Sequence, residues 1–217
     1  MIESCLRSAV AEAGLLLPED ALRAFEVIAS ELQKWNSRHN LTALCKVEDV
    51  AIKHFVDSLF LTEQISDGEN VMDIGSGAGF PALPLKVMRP NSRVVSVDAV
   101  SKKVMFQKHV ARSLRVSGFE AVHARVENLQ AVFGGQFDVV TSRAFSRLDT
   151  FVKLAAPFIN DNGRLIAMKG PEVHSEIIQS EPELRSKGFM VTQVIEYELP
   201  LKKGKRSLVT LIPCKTP

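Results

Sequence analysis

The segment Val71-Met72-Asp73-Ile74-Gly75-Ser76-Gly77-Ala78-Gly79-Phe80-Pro81 constrains this chain more than any other. A short apolar run carries an acid, three glycines follow at alternate positions, and Pro81 stands where a proline helps a helix begin. Glycines so placed let the backbone press against a ligand and adopt dihedrals closed to other residues. A second apolar run, residues 93–98, ends in Asp98. An acid about 20 residues past such a turn can accept both hydroxyls of a ribose. Strand, glycine turn, helix and acid-tipped strand form the arrangement that holds a nucleoside cofactor.

The glycine spacing and the first acid select among such cofactors. Dinucleotide enzymes use Gly-x-Gly-x-x-Gly, whose third glycine lets helix and strand pack closely beneath a pyrophosphate. Here Phe80 holds that third position, and the glycines read Gly-x-Gly-x-Gly. Asp73, two residues before the first glycine, would repel a pyrophosphate. It suits a ligand carrying an ammonium and a sulfonium and no phosphate, which describes S-adenosylmethionine. A turn tight for packing alone would need no acid on either side.

The order of elements predicts an α/β chain. The first 60 residues read helical: Pro18, Glu19 and Asp20 make a helix start, with Leu22, Phe25, Ala29, Leu32 and Trp35 following at helical spacing. A second helix carries Val47, Val50, Ala51, His54, Phe55, Ser58 and Leu59. Strands are expected at residues 70–74, 93–98, 119–124, 137–142, 163–169, 189–197 and 207–212, with helices at 80–89, 101–114, 127–133, 149–159 and 173–187. Such alternation gives a doubly wound, mostly parallel sheet. Residues 199–206 are too few for a crossover helix, so the last two strands form an antiparallel hairpin. The predicted fold is the seven-stranded, Rossmann-like class I S-adenosylmethionine-dependent methyltransferase with one antiparallel strand. Residues 1–66 form an N-terminal helical region packed on a methyltransferase domain, residues 67–217.

Composition narrows the setting. With 217 residues, 46% of them hydrophobic, the chain has room for one full core. No apolar run approaches the roughly 20 residues of a bilayer crossing, and the first residues lack the build of a signal peptide. Cys5, Cys45 and Cys214 are scattered and share no ligand spacing, as free thiols of a reducing cytoplasm are. The triplet Asn40-Leu41-Thr42 is therefore expected to carry no glycan. A net charge of +2 says little, but its distribution says more. Residues 1–33 hold six acids and two bases, whereas residues 86–115 hold eight bases (Lys86, Arg89, Arg93, Lys102, Lys103, Lys108, Arg112, Arg115) and Asp98 alone. Residues 199–217 add five bases and no acid, four of them Lys202, Lys203, Lys205 and Arg206. The asymmetry points to a polyanionic partner, against the plainer reading of solvated faces.

The acceptor is constrained by what is missing. A methyl on sulfonium is already activated, so transfer needs an in-line nucleophile, and positioning supplies about 7–11 kcal/mol of the barrier. Exocyclic amines use an Asp/Asn-Pro-Pro-aromatic turn after the fourth strand, where this chain has Ser142-Arg143-Ala144-Phe145. Carbon 5 of a pyrimidine needs a cysteine, and none lies between Cys45 and Cys214. A ring nitrogen such as guanine N7 has a free lone pair and needs no general base. Arg143 cannot make the usual paired contact to O6 and N7 without blocking that lone pair. It therefore holds O6, a flanking phosphate or the cofactor, or else ties neighbouring loops to a carboxylate. Phe145 stacks on an extruded base or belongs to the core. Lys169, ending the fifth strand, offsets phosphate charge or is a plain strand-end lysine. His54 reads as a satisfied buried histidine, with Asp57 able to hydrogen-bond within the same helix. His39, His109, His123 and His174 share no ligand spacing, so no metal is expected. Arg125-Val126-Glu127 follows the third strand, where the adenine edge is met.

Across nearly the whole chain these residues resemble one family, the bacterial small-subunit ribosomal RNA methyltransferase G, or glucose-inhibited division protein B. The pieces are Asn40-Leu41-Thr42, Lys53-His54-Phe55-Val56-Asp57-Ser58, the Asp73–Pro81 segment, Asp98, Arg125-Val126-Glu127, Ser142-Arg143-Ala144-Phe145, Lys169-Gly170 and Arg206. The resemblance implies N7 methylation of one guanine in the decoding-region loop of 16S rRNA, alone or within the small ribosomal subunit. It implies Gly75, Phe80, Val126, Glu127 and Arg143 at the cofactor site, beside Asp73, Gly77, Gly79 and Asp98 of the glycine-turn reading. Arg143, Lys169 and Arg206 would position and balance charge, and Lys53, Phe145, Lys202, Lys203, Lys205 and Arg206 would meet RNA. Lys53 stands where the family often has Arg, and Ala82 where it often has Gly. A cytoplasmic monomer is expected. The rival readings are a methyltransferase acting on a small molecule or protein, a non-catalytic cofactor-binding regulator, and, more remotely, a nicotinamide oxidoreductase.

Overall fold

Val71–Ile74 (β1) and Val94–Asp98 (β2) are buried along their whole length, which is why both read as mostly apolar runs, broken only by Asp73, Ser96 and the terminal Asp98. The computed structural model describes residues 2–143 and 147–214. The remaining strands are β3 (Phe119–His123), β4 (Phe137–Arg143), β5 (Ile159–Lys169), β6 (Phe189–Glu198) and β7 (Lys205–Pro213). They form one sheet in the order β3-β2-β1-β4-β5-β7-β6. Six strands share one direction, and β7 alone is reversed, antiparallel to both β5 and β6. The order reverses between β1 and β4, and ligands in such sheets sit beyond the carboxyl ends at that point.

The helices are α1 (Ile2–Glu12), α2 (Glu19–His39), α3 (Val47–Val50), α4 (Asp57–Thr62), α5 (Ala82–Met88), α6 (Ser101–Ser113), α7 (Gln130–Phe133), α8 (Leu148–Ala155) and α9 (Val173–Ser186). Between α3 and α4, Ala51–Val56 widens into a π-helical turn, a feature found often at functional sites. Phe133, Phe151 and Leu184 from α7, α8 and α9 cover one sheet face over Met72, Ile74, Val95 and Val140. The N-terminal helices share a second core with α5 and α6, in which Phe25, Phe55, Leu83, Phe106 and Val110 meet. Trp35 on α2 packs its ring against Phe106 and His109 of α6 at 5.7 and 5.3 Å. Burying a side chain such as Phe106 is worth about 1.5–3 kcal/mol. The helical region is thereby held on the sheet at the edge where the strands' carboxyl ends emerge.

Candidate active site

The turn after β1 is set by its glycines and braced from behind. Gly75, Gly77 and Gly79 take φ of +73°, +59° and +82°, where side-chain-bearing residues are strained. A Cβ added at Gly77 would meet nothing within 4 Å, so this backbone faces open space. One at Gly79 would lie 2.6 Å from Leu83 Cδ1, so Gly79 serves the packing of α5 instead. Behind the turn, Gln107 of α6 donates to the Gly77 carbonyl at 2.8 Å and to Ser76 Oγ at 2.9 Å. Ser96 of β2 donates to Gln107 Oε1 at 2.5 Å and lies 2.6 Å from Ser76 Oγ. Gln107 and Ser96 are fully buried. Neither was expected from sequence, although a glutamine on the apolar face of α6 is a readable anomaly.

Two acids flank the turn. Asp98, at the end of β2, accepts from the Gly77 and Val100 amides, each at 2.8 Å. It thus supports the turn directly, with lone pairs left for a sugar hydroxyl. Asp73 is buried beneath the turn, and neither of its oxygens has a hydrogen-bond partner among the described residues. Burial pushes its carboxyl up to about 7, against the pull of the Arg143 charge and the Ala82 amide. Ser142 Oγ, at the end of neighbouring β4, is likewise buried without a partner. Buried polar groups are ordinarily paired. Orphans beside an open glycine backbone therefore fit a bound cation-bearing cofactor, S-adenosylmethionine among the candidates.

Beyond the strand ends lies a cavity of about 490 Å³, within the range of small-molecule sites. Gly75, Ser76, Gly77 and Phe80 form one wall, Lys53, His54 and Asp57 another, and Arg143, Met168, Lys169, Gly170 and Arg206 the rest. Of the expected cofactor residues, the cavity is lined by Gly75, Gly77, Phe80 and Arg143 only. Val126 turns into the core with Leu129 and Phe133, and Glu127 is exposed. Both follow β3, two strands away from the cavity, because β3 and β2 extend the same carboxyl edge sideways. A larger cavity, about 1060 Å³, lies between α2 and residues 40–47 and shares Leu44 with the first.

Arg143 ties elements together. Its Nη1 donates to the Lys53 carbonyl at 2.7 Å and lies 3.6 Å from Asp57 Oδ2, and its Nη2 is 3.1 Å from His54 Nδ1. Its guanidinium sits 5.8 Å from the Phe80 ring centroid. Of the roles open to Arg143, tying a loop to a carboxylate describes these contacts. His54 stacks on Phe80 at 4.3 Å and 9°, and its Nε2 lies 3.1 Å from Thr42 Oγ1. Burial first, then the Arg143 charge, lowers its pKa to about 3. Asp57 does not bond within its helix as expected; it accepts from Tyr197 Oη at 2.8 Å, across the sheet. Burial raises Asp57, and both burial and Asp57 raise Tyr197.

The expected RNA contacts separate. Lys53 lines the cavity but is 3.3 Å from Asp49. Lys169 also lines it, paired with Glu176 at 2.7 Å, and Arg206 donates to the Lys205 carbonyl. Lys202 and Lys205 are exposed. Lys203 instead turns toward the protein, 2.6 Å from Glu48 and 3.2 Å from Asp49, so its charge is already matched. Phe145 lies outside the described residues. His109 pairs with Glu31 and His174 with Glu196. No three metal-binding side chains cluster among the described residues, and no described helix is long and apolar enough to cross a membrane.

Comparison with known proteins adds to this geometry. The sequence model of a family described as rRNA small subunit methyltransferase G matches residues 21–209. A "Ribosomal RNA small subunit methyltransferase G" from Geobacter metallireducens is 44% identical over 201 residues, covering 93% of this chain and 91% of its own. Its namesake from Geotalea uraniireducens is 46% identical, covering 92% and 91%. Among solved structures, an Aquifex aeolicus SAM-dependent methyltransferase has a TM-score of 0.57 at 19% identity, over 76% of this chain and 92% of its own. Aeropyrum pernix fibrillarin with natively bound S-adenosyl-L-methionine has a TM-score of 0.56 at 14% identity, over 72% and 74%. At those identities the likeness is one of fold.

Proposed function

The chain belongs to the rRNA small subunit methyltransferase G family, and we propose that it methylates N7 of one guanine in the decoding-region loop of 16S rRNA, using S-adenosylmethionine. The observation carrying this reading is the cavity itself. An open glycine turn forms one wall, and the cations Lys53, Arg143, Lys169 and Arg206 share the others. A methyl donor on one side and a polyanion on the other are what such a division accommodates.

Gly75, Gly77, Gly79 and Phe80 would shape the cofactor's seat, with Asp73 near its cationic end and Asp98 at its ribose. Val126 and Glu127 would meet its adenine, further along the same sheet edge. Bound there, S-adenosylmethionine supplies an electrophilic methyl group on a positively charged sulfur. The chain's own task is to align the guanine lone pair and to balance phosphate charge. The guanine N7–methyl bond forms as the carbon–sulfur bond breaks, and no proton leaves the ring nitrogen. His54 is neutral, with both ring nitrogens engaged, so it does not act as a base. Arg143 positions the π-helical turn, and through it Lys53, whereas Lys169 and Arg206 face the incoming RNA. Phe145, Lys202, Lys203 and Lys205 complete the proposed RNA contacts, Lys203 after exchanging its acidic partners for phosphate. Residues 1–66 and 67–217 are read as a helical region and a methyltransferase domain within a cytoplasmic monomer.

The test is to incubate undermethylated small ribosomal subunits with methyl-labelled cofactor and map the modified nucleotide. Label at N7 of a single decoding-region guanine is expected. Label on a ribosomal protein or metabolite fraction, or cofactor binding without any transfer, would favour the rival readings instead.

A further inference from the structure

The structure divides the basic run of residues 86–115 into two kinds of residue. Lys86 is buried and donates to the Pro90 and Ser92 carbonyls, and Arg89 donates to those of Thr62 and Ile65. Arg93 faces Glu120 and Gln136. Those three are structural. The other five bases lie on or just after α6, where Lys102, Lys108, Arg112 and Arg115 are exposed. None of these four has an acidic partner within 4.0 Å among the described residues.

The arrangement on α6 is unlike that of the other surface helices. Arg7 pairs with Glu3, Arg23 with Asp20, Lys34 with Glu31, Arg185 with Glu181 and Lys187 with Glu183, each one helical turn away. From Ser101 to Ser113, α6 contains no acid at all. Its first turn carries Lys102 and Lys103, where the helix dipole disfavours cations. A solvated face needs neither feature. The buried residues Val104, Phe106, Gln107 and Val110 face the core, and Lys102, Lys108 and Arg112 lie on the opposite side, whereas half-buried Lys103 turns toward the cavity beside α2. Lys102 to Arg112 extends along about 15 Å of helix, with Arg115 just past its end, and the row starts just after Asp98 and Val100 at the proposed cofactor edge.

We propose that this face of α6 docks the phosphate backbone of the rRNA outside the target loop. The inference rests on the rRNA methyltransferase reading above. It places a second RNA contact along the sheet's β2 side, distinct from the cavity and from the 199–206 loop. Here the chain provides an unpaired row of cations, whereas Lys203 of that loop is already matched by its own acids.

The test compares full-length wild type with a variant carrying Lys102→Gln, Lys108→Gln, Arg112→Gln and Arg115→Gln. Glutamine keeps helix propensity, and unchanged cofactor affinity by calorimetry checks the fold. Binding to undermethylated small subunits is measured across a series of salt concentrations. Each lost phosphate contact lowers the salt slope by about 0.7–0.9, so a fall of about 3 and at least roughly tenfold weaker binding are expected. Arg185→Gln with Lys187→Gln, on α9 at the opposite sheet face, removes charge without touching this surface and should leave the slope unchanged. A slope altered by less than about one unit, or lowered equally by the α9 pair, overturns the proposal. Because binding is read without turnover, a wild type that binds subunits but transfers no methyl refutes the reaction and leaves the surface to be judged by its slope.

Discussion

Arg143 donates from Nη2 to His54 Nδ1 at 3.1 Å, and that contact requires the imidazole to be neutral. The other ring nitrogen then carries the proton and donates to Thr42 Oγ1. One arginine at the end of β4 thereby fixes the tautomer of a histidine 89 residues earlier and, through it, the loop beside the cavity.

The consequence is a dependence of stability on acid. The folded pKa of His54 is lowered from 6.5 to about 3, so the unfolded chain takes up the proton first. Stability from this group is fully present above pH 6.5 and drains away as pH falls toward 3. Wild type should lose about 1.4 kcal/mol more per pH unit than His54→Gln in that window. Urea unfolding at several pH values measures it. Parallel curves for the two proteins would mean that His54 titrates alike in the folded and unfolded chains, so that burial and the Arg143 contact do not hold it neutral.

Asp73 has the opposite sign. Its folded pKa is raised from 3.8 to about 7, so its contribution is present below pH 3.8 and is lost as pH rises through 7. Asp73→Asn should stabilise the cofactor-free protein at pH 8 by on the order of 1–4 kcal/mol and weaken cofactor binding. In the wild type, a cationic ligand draws the carboxyl back to its ionised form, releasing a proton near neutrality. Calorimetry in buffers of different ionisation enthalpy should detect that proton, and the asparagine variant should release none. Equal proton release by both would remove Asp73 from the cationic end of the site.

The sheet was largely legible because most of the parallel strands carry a short, mainly apolar run closed by a glycine, acid or turn. Local patterns set those limits, and the observed ends differ from the expected ones mainly at β5, which begins at Ile159. The helix at residues 47–62 was legible too, but its π-helical middle was not, since apolar spacing is read at one fixed period. The site was less legible because its bonds join distant segments. Asp57 reaches Tyr197 across 140 residues, and Lys203 answers acids on α3. A charge run shows where cations lie in sequence and says nothing of the acids that folding brings beside them. Gln107 is the exception: a lone polar residue amid Val104, Phe106 and Val110 signals a buried partner even before that partner is known.

The glycines of the turn should separate on mutation. At Gly79 an added methyl would strike Leu83 at 2.6 Å in a left-handed conformation, so Gly79→Ala should destabilise the fold by about 2–4 kcal/mol. Gly77 has the same conformational constraint but open space around it. Gly77→Ala should cost only about 1–2 kcal/mol of stability and lose most cofactor affinity, since the methyl points where the ligand would press. Thermal unfolding paired with cofactor titration checks both. Intact affinity in folded Gly77→Ala would show that this backbone does not face the cofactor.

Asp98 combines both functions in one side chain. Its oxygens accept from the Gly77 and Val100 amides, so Asp98→Ala leaves two amide donors without their partner and slackens the turn. A loss of about 1–3 kcal/mol in stability is expected. The proposed ribose contact adds a separate cost of about 1.5–3 kcal/mol in cofactor binding, a tenfold to hundredfold weaker Kd. Asp98→Asn keeps one carbonyl oxygen, which can hold either the Gly77 or the Val100 amide, while its amide group faces the other N–H and cannot accept from a sugar hydroxyl. A partial loss of stability with clearly weakened cofactor binding is the expected pattern for Asp98→Asn. Calorimetry finding wild-type affinity in that variant would leave Asp98 as a brace of the turn alone.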